Sequence, residues 1–174
     1  MSRNYSLAEI YREAYFHEIS VWHSISGSLQ LIFAVIVFIV GINAHTFTLL
    51  PPQSSGAIKL VFSFFFSFSW LYLIVASYHY WQAWHGLEYK LLPVSSELEK
   101  YKDVLVERYR DWPAENNFSE RFLNDALYKF FMDFSTENAK SNEKKLNSLH
   151  LSRLALIPSI IFALVTFGFI QIPW

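Results

Sequence analysis

The chain has 174 residues, of which 53% are hydrophobic, 19% aromatic and only 17% charged, with 14 Lys and Arg against 15 Asp and Glu for a formal net charge of −1. Ordinary soluble domains carry about 25% charged residues, so the deficit points to a membrane. The near-neutral balance gives no case for nucleic acid, which would call for a basic face, and the absence of Cys excludes disulfides, thiol catalysis and thiolate metal sites.

The first 24 residues contain Glu9, Glu13 and Glu18 and no compact apolar core followed by a small-residue cleavage site, so they do not read as a removable signal sequence. Leu7, Ile10, Tyr11, Ala14, Tyr15 and Ile19 recur at steps of three and four, which predicts an amphipathic helix over residues 1–19.

Residues 20–81 read as a transmembrane hairpin. Its apolar stretches, Ile25–Ile42 and Ile58–Ala76, and a third at Leu154–Ile172, each run 18 or 19 residues with at most one charge. At about 1.5 Å per residue each suffices for roughly 30 Å of hydrocarbon. In the first stretch Ser20, Ser24, Gly27, Ser28, Ala34 and Gly41 fall roughly on one side; Ser63, Ser67, Ser69 and Ser77 punctuate the second. Trp22, and the group Tyr78, Tyr80, Trp81 and Trp84, stand where rings favour the headgroup layer. Trp70 and Tyr72, nearer the middle, are expected to pack against another helix. The connection Asn43–Ala57, with Pro51 and Pro52, carries no charge.

The block 82–150 is predicted to be helical. Nothing breaks the second helix before Pro93, so it should continue to about Leu92; Ser96-x-x-Glu99 then has the form of a capping box opening a helix to about Arg110. Asp111-Trp112-Pro113 should end that helix, and Asn117-x-x-Glu120 should start the next, which runs on into the third span through Pro158. An apolar seam follows Leu123, Leu127, Phe131 and Phe134, passes through Asn138 and Asn142, and resumes at Leu146 and Leu149. Either the two amides are buried and set register or partner, or the seam ends at Phe134 and both face water. Leu127, Phe131, Phe134, Asn138 and Asn142 are thus candidate interface residues.

The third span, residues 151–174, carries a stripe of small or hydroxylated residues: Ser152, Ala155, Ser159, Ala163 and Thr166. Together with Ser24 and Ser28 these are candidates for close helix packing or for lining a wet path among several copies. Lys90 through Lys145 contributes ten Lys and Arg, while the connection 43–57 and the tail after Ile172 have none. The positive-inside rule therefore places the N-terminus and the block 82–150 in the cytoplasm and the C-terminus across a cell membrane.

Catalytic chemistry is poorly represented. His85-x-x-Glu88 and Glu13-x-x-x-His17 offer two ligands each, short of a zinc set, and phosphate loops and nucleophile elbows are missing. No enzyme, metal or cofactor is expected. Taken together, the sequence predicts an all-α membrane protein of three spans, with a helical extension formed by the prolonged second and third spans.

The order of Tyr11–Leu29 (YREAYFHEISVWHSISGSL), two close spans, and His79–Leu92 (HYWQAWHGLEYKLL) resembles the SLATT-type two-span effector domains of bacterial conflict systems. Glu120–Ile157 (ERFLNDALYKFFMDFSTENAKSNEKKLNSLHLSRLALI) resembles the cytoplasmic helix of small multi-span bacterial proteins with two Asn four residues apart. Those two-span domains end in cytoplasmic helices, whereas this chain re-enters the membrane. The resemblance implies an anti-phage effector of the bacterial inner membrane, partnered by a sensor protein, that oligomerises and permeabilises or depolarises the bilayer. The other reading is a membrane-anchored sensor or scaffold holding a soluble partner by its cytoplasmic helices.

Overall fold

A computed structural model describes residues 6–49, 56–85, 88–110 and 118–171. They form four helices: α1, Leu7–Thr48; α2, Gly56–Trp84; α3, Ser95–Arg108; and α4, Phe118–Gln171. Three of these, α1, α2 and α4, are long and apolar enough to cross a membrane. Two compact units result, one of Met1–Trp22 with Leu87–Asn142, the other of His23–Gly86 with Glu143–Trp174. Helices α1 and α4 contribute to both.

The predicted amphipathic helix and first span are one element. Helix α1 starts at a capping box that the sequence reading passed over: Ser6 N–H and Oγ donate to Glu9 Oε2 at 2.9 and 3.1 Å, and Glu9 N–H donates to Ser6 Oγ at 3.3 Å. Orphan donors of the first turn are thereby satisfied. The helix runs past the expected end of the span to Thr48, so Asn43 and Thr46 are helical residues, not part of the connection.

In the second unit the helix register follows from paired side chains. Phe33 meets Tyr80, Asn43 meets Ser69 and Phe47 meets Phe66, so α1 and α2 are antiparallel. Ser152 meets Ala76, Ser159 meets Ser69 and Phe162 meets Phe65, so α2 and α4 are antiparallel too. The buried face of α1 is Ile25, Leu29, Ile32, Ile39, Asn43 and Thr46. Ser24, Gly27, Ala34 and Gly41 lie on the exposed side and Ser28 is half-buried. Tyr72 packs on Phe162 of α4, whereas Trp70 meets Phe66 of its own helix. Helix α4 passes through Pro158 unbroken.

The expected continuation of α2 to Leu92 does not occur. The helix ends at Trp84, and residues 88–94 form a non-helical strap before α3. Gly86 lowers helix propensity just beyond that end, and Pro93 confines Leu92 to extended backbone. The box expected at Ser96 and Glu99 does not form either. The cap is Val94, extended at φ −62° and ψ 150° with no side-chain cap bond, so Ser96 already lies inside the helix. Asp111-Trp112-Pro113, Asn117, Pro51, Pro52 and Trp174 lie outside the described residues.

Within the first unit the start of α1 packs on α4 through Tyr11 with Tyr128 and Tyr15 with Phe131, both edge to face with ring centroids 5.4 and 5.7 Å apart. Tyr109 stacks on Phe122 at 5.1 Å, fastening the end of α3 to α4.

Candidate functional site: an asparagine clasp and a serine seam

The buried face of α4 is mainly polar. Ser135, Asn138, Ser141, Asn142, Lys145, Ser152, Ser159 and Thr166 are all buried, with Leu149, Ala155, Leu156 and Ala163 among them. Each buried amide or hydroxyl needs a partner, since an unmet one costs about 1–3 kcal/mol.

Asn138, fully buried, finds its partner in the strap. Its Oδ1 accepts the Lys90 N–H at 2.9 Å and its Nδ2 donates to the Lys90 carbonyl at 3.0 Å. One side-chain amide thus satisfies both backbone groups of one residue, as a neighbouring strand would. Two residues on, the Leu92 N–H donates to the Tyr15 hydroxyl at 3.1 Å.

Asn142, one helical turn further along α4, ties the strap to α1. Its Nδ2 donates to the Glu18 carbonyl at 2.9 Å and to Glu18 Oε2 at 2.7 Å, and its Oδ1 accepts the Tyr89 hydroxyl. The bond to the carboxylate is charge-assisted and therefore among the stronger ones. Burial, and after it the negative charge of Glu18, pushes the Tyr89 phenol up to about 12, so it stays a donor at neutral pH. The Tyr89 ring lies 5.0 Å from Trp22. Lys90 also reaches Glu137 at 4.0 Å, but both side chains are more than half exposed and the pair adds little.

The two Asn therefore do not face water. They close a clasp in which α1, the strap and α4 meet. Leu127, Phe131 and Phe134 are half-buried on the same helix, and Leu146 is exposed, with Lys145 taking the buried position beside it. Tyr15, Glu18, Tyr89 and Lys90 complete the clasp and carry no signal in the sequence that points to it.

The second unit holds a serine seam. Ser159 Oγ donates to the Ser69 carbonyl at 2.9 Å and Ser69 Oγ to the Ser159 carbonyl at 3.2 Å, a reciprocal pair between α2 and α4. Asn43 of α1 joins the same point, its Nδ2 3.0 Å from Ser69 Oγ. Ser152 Oγ donates to the Ala76 carbonyl at 2.9 Å, and Thr166 Oγ1 returns to the Phe162 carbonyl of its own helix at 2.6 Å. Ser152, Ala155, Ser159, Ala163 and Thr166 are thus all buried inside the chain. Within the single chain the hydroxyls of Ser152, Ser159 and Thr166 are satisfied by carbonyls, the close-packing arrangement of the two expected. In a bilayer, where apolar burial gives helices no reason to associate, small residues and such bonds hold them together. Asn43, expected to open the outer connection after the apolar stretch ending at Ile42, lies here because α1 continues to Thr48.

Among the described residues no three His, Cys, Asp or Glu come together as a metal-binding group. No protein-family model matches the chain, and neither a curated protein nor a solved structure does.

Proposed function

We propose that the protein is a membrane effector of bacterial anti-phage immunity, held inactive by the clasp and permeabilising the inner membrane when the strap is released. The observation that carries this reading is the mode of attachment of residues 88–92. That segment is held by side chains of other elements, Asn138, Asn142 and Tyr15, through bonds that a partner or a conformational change can exchange for water. A strap so attached opens locally at little expense compared with unfolding a helix.

Three membrane-length helices support an effector acting on the bilayer itself. A single copy has its polar seam filled internally, so a path for ions requires several copies. Ser24, Gly27, Ala34 and Gly41 on the exposed side of α1 suit such an assembly, because a Cβ added at Gly27 or Gly41 meets nothing within 4 Å. The orientation follows from the Lys and Arg of residues 90–145, which favour the cytoplasm. A defence sensor would then reach the clasp from that side.

Expression in bacteria tests the proposal. Dye entry and loss of membrane potential on induction with the cognate sensor support it; retention of potential under sensor activation opposes it. A scaffold role is the second reading, supported by the exposed Val94, Tyr101 and Val104 around α3. It calls instead for a co-purifying soluble partner whose capture depends on those residues.

A further inference from the structure

The outward face of α1 in the second unit has a pattern of its own. Ile25, Ile32, Ile39 and Thr46, seven residues apart, centre the buried face of the helix. Gly27, Ala34 and Gly41 repeat that interval from two residues later, a turn of about 200° at roughly 3.6 residues per turn, and so centre the opposite face. Gln30 and Val37 fall between them at steps of three and four, and all five are exposed. Such spacing suits a second helix lying nearly parallel to the first.

Gln30 decides what covers this face. It stands eight residues beyond Trp22, roughly 12 Å further along the helix axis, and therefore inside the hydrocarbon. Its side-chain amide is exposed and meets no partner among the described residues. A hydroxyl in a span can return to a carbonyl of its own helix, as Thr46 does to Ile42. An amide carries two donors and an acceptor, which lipid leaves unmet at high cost. We propose that a second copy of the chain covers this face, through a parallel α1–α1 contact in which the two Gln30 amides hydrogen-bond to each other.

Self-complementarity selects that partner. Copies inserted by the same charge rule share one orientation, so a two-fold axis along the membrane normal sets each residue of the face against its own counterpart. Amide then meets amide, donor to acceptor, and one polar pair in an otherwise small and apolar seam fixes the register. Gly27, Ala34 and Gly41 let the two backbones approach closely. A Cβ added at either glycine meets nothing within 4 Å in the single chain, which leaves that space to the other copy. The bearing of this contact on permeabilisation rests on the effector reading; the contact itself does not.

The chain has no Cys, so a single introduced one reports the contact in the full chain, reconstituted in liposomes of bacterial lipid. Under mild oxidation Val37→Cys should form a disulfide-linked dimer at least tenfold faster than Ile74→Cys, which is also exposed but lies on α2. Adding Gln30→Leu should slow the Val37→Cys reaction at least fivefold, and Gln30→Asn, which keeps an amide, should restore most of it. Gln30 has no bond to lose within the chain, so both variants should keep the thermal transition of the native protein. Equal rates at the two cysteine positions, or a rate indifferent to Gln30→Leu, overturns the proposal whether or not the membrane leaks. Cross-linking of Val37→Cys in cell membranes only to another protein overturns it too, by making the occupant a different partner.

Discussion

The side-chain amide of Asn138 pairs with both the N–H and the carbonyl of Lys90, at 2.9 and 3.0 Å. A side chain here does the work of a β-strand edge, holding the non-helical residues 88–94 against α4 at Lys90.

Replacing that amide should release the strap. Asn138→Leu leaves both Lys90 groups without their partner and is expected to destabilise the first unit by about 1–3 kcal/mol. Hydrogen exchange at Lys90 and Leu92 should quicken at least tenfold, while amides in the second unit keep their protection. Asn138→Asp sets a buried carboxylate oxygen against the Lys90 carbonyl, so it should destabilise at least as much as Asn138→Leu at neutral pH.

The pH dependence of stability should carry the signature of Tyr89. Its proton is held in the folded chain up to about pH 12, while in the unfolded chain it leaves near 10. A folded-state pKa raised above the unfolded one gives a contribution that is complete below pH 10 and lost as pH rises from 10 through 12. Denaturation midpoints at pH 9 and pH 11 should therefore separate further for the native chain than for Tyr89→Phe. Equal separations would remove Tyr89 as the titrating group.

Bulk on the two small-residue faces should have opposite consequences. Ser159 and Ala163 are fully buried, so Ser159→Leu or Ala163→Leu overpacks the helix contact and is expected to lower stability by about 1–3 kcal/mol. Gly27→Leu and Gly41→Leu enter open space. They should leave the thermal transition of the single chain within a degree or two while shifting an oligomer measured in nanodiscs toward the monomer.

The reciprocal serine pair can be tested by single substitutions. Ser69→Ala removes the hydroxyl that reaches both Asn43 and Ser159, and it leaves the Asn43 amide buried. A loss of about 1 kcal/mol is expected, within the range of hydrogen bonds between membrane helices. Ser63→Ala, on the same helix and exposed, should change nothing measurable.

How much of this was legible in the sequence varies with the range of the interactions involved. The three spans could be read because some 18 consecutive apolar residues carry their meaning locally. Asn138 and Asn142 stood out because they interrupt an apolar seam at helical steps. Their partners did not, because Asn138 binds backbone that looks the same in every residue, and the local pattern from Trp84 to Leu92 was compatible with more helix. Ser6-x-x-Glu9 and Ser96-x-x-Glu99 have the same form, yet only the first caps a helix; the second falls inside one because Pro93 and Val94 set an earlier start. Asn43 illustrates the remaining case, a polar residue taken for a loop residue whose bond to Ser69 lies 26 positions away.

The central claim is that the clasp on residues 89–92 restrains a membrane-permeabilising activity, and release of a trapped fluorophore from liposomes bearing the full chain tests it most directly. At equal protein content, Asn138→Leu with Asn142→Leu should release the dye without any sensor, at least tenfold faster than the native chain, while Lys144→Gln, an exposed neighbour, should not. A doubly substituted chain that inserts, remains helical and leaks no faster than the native protein would contradict the account.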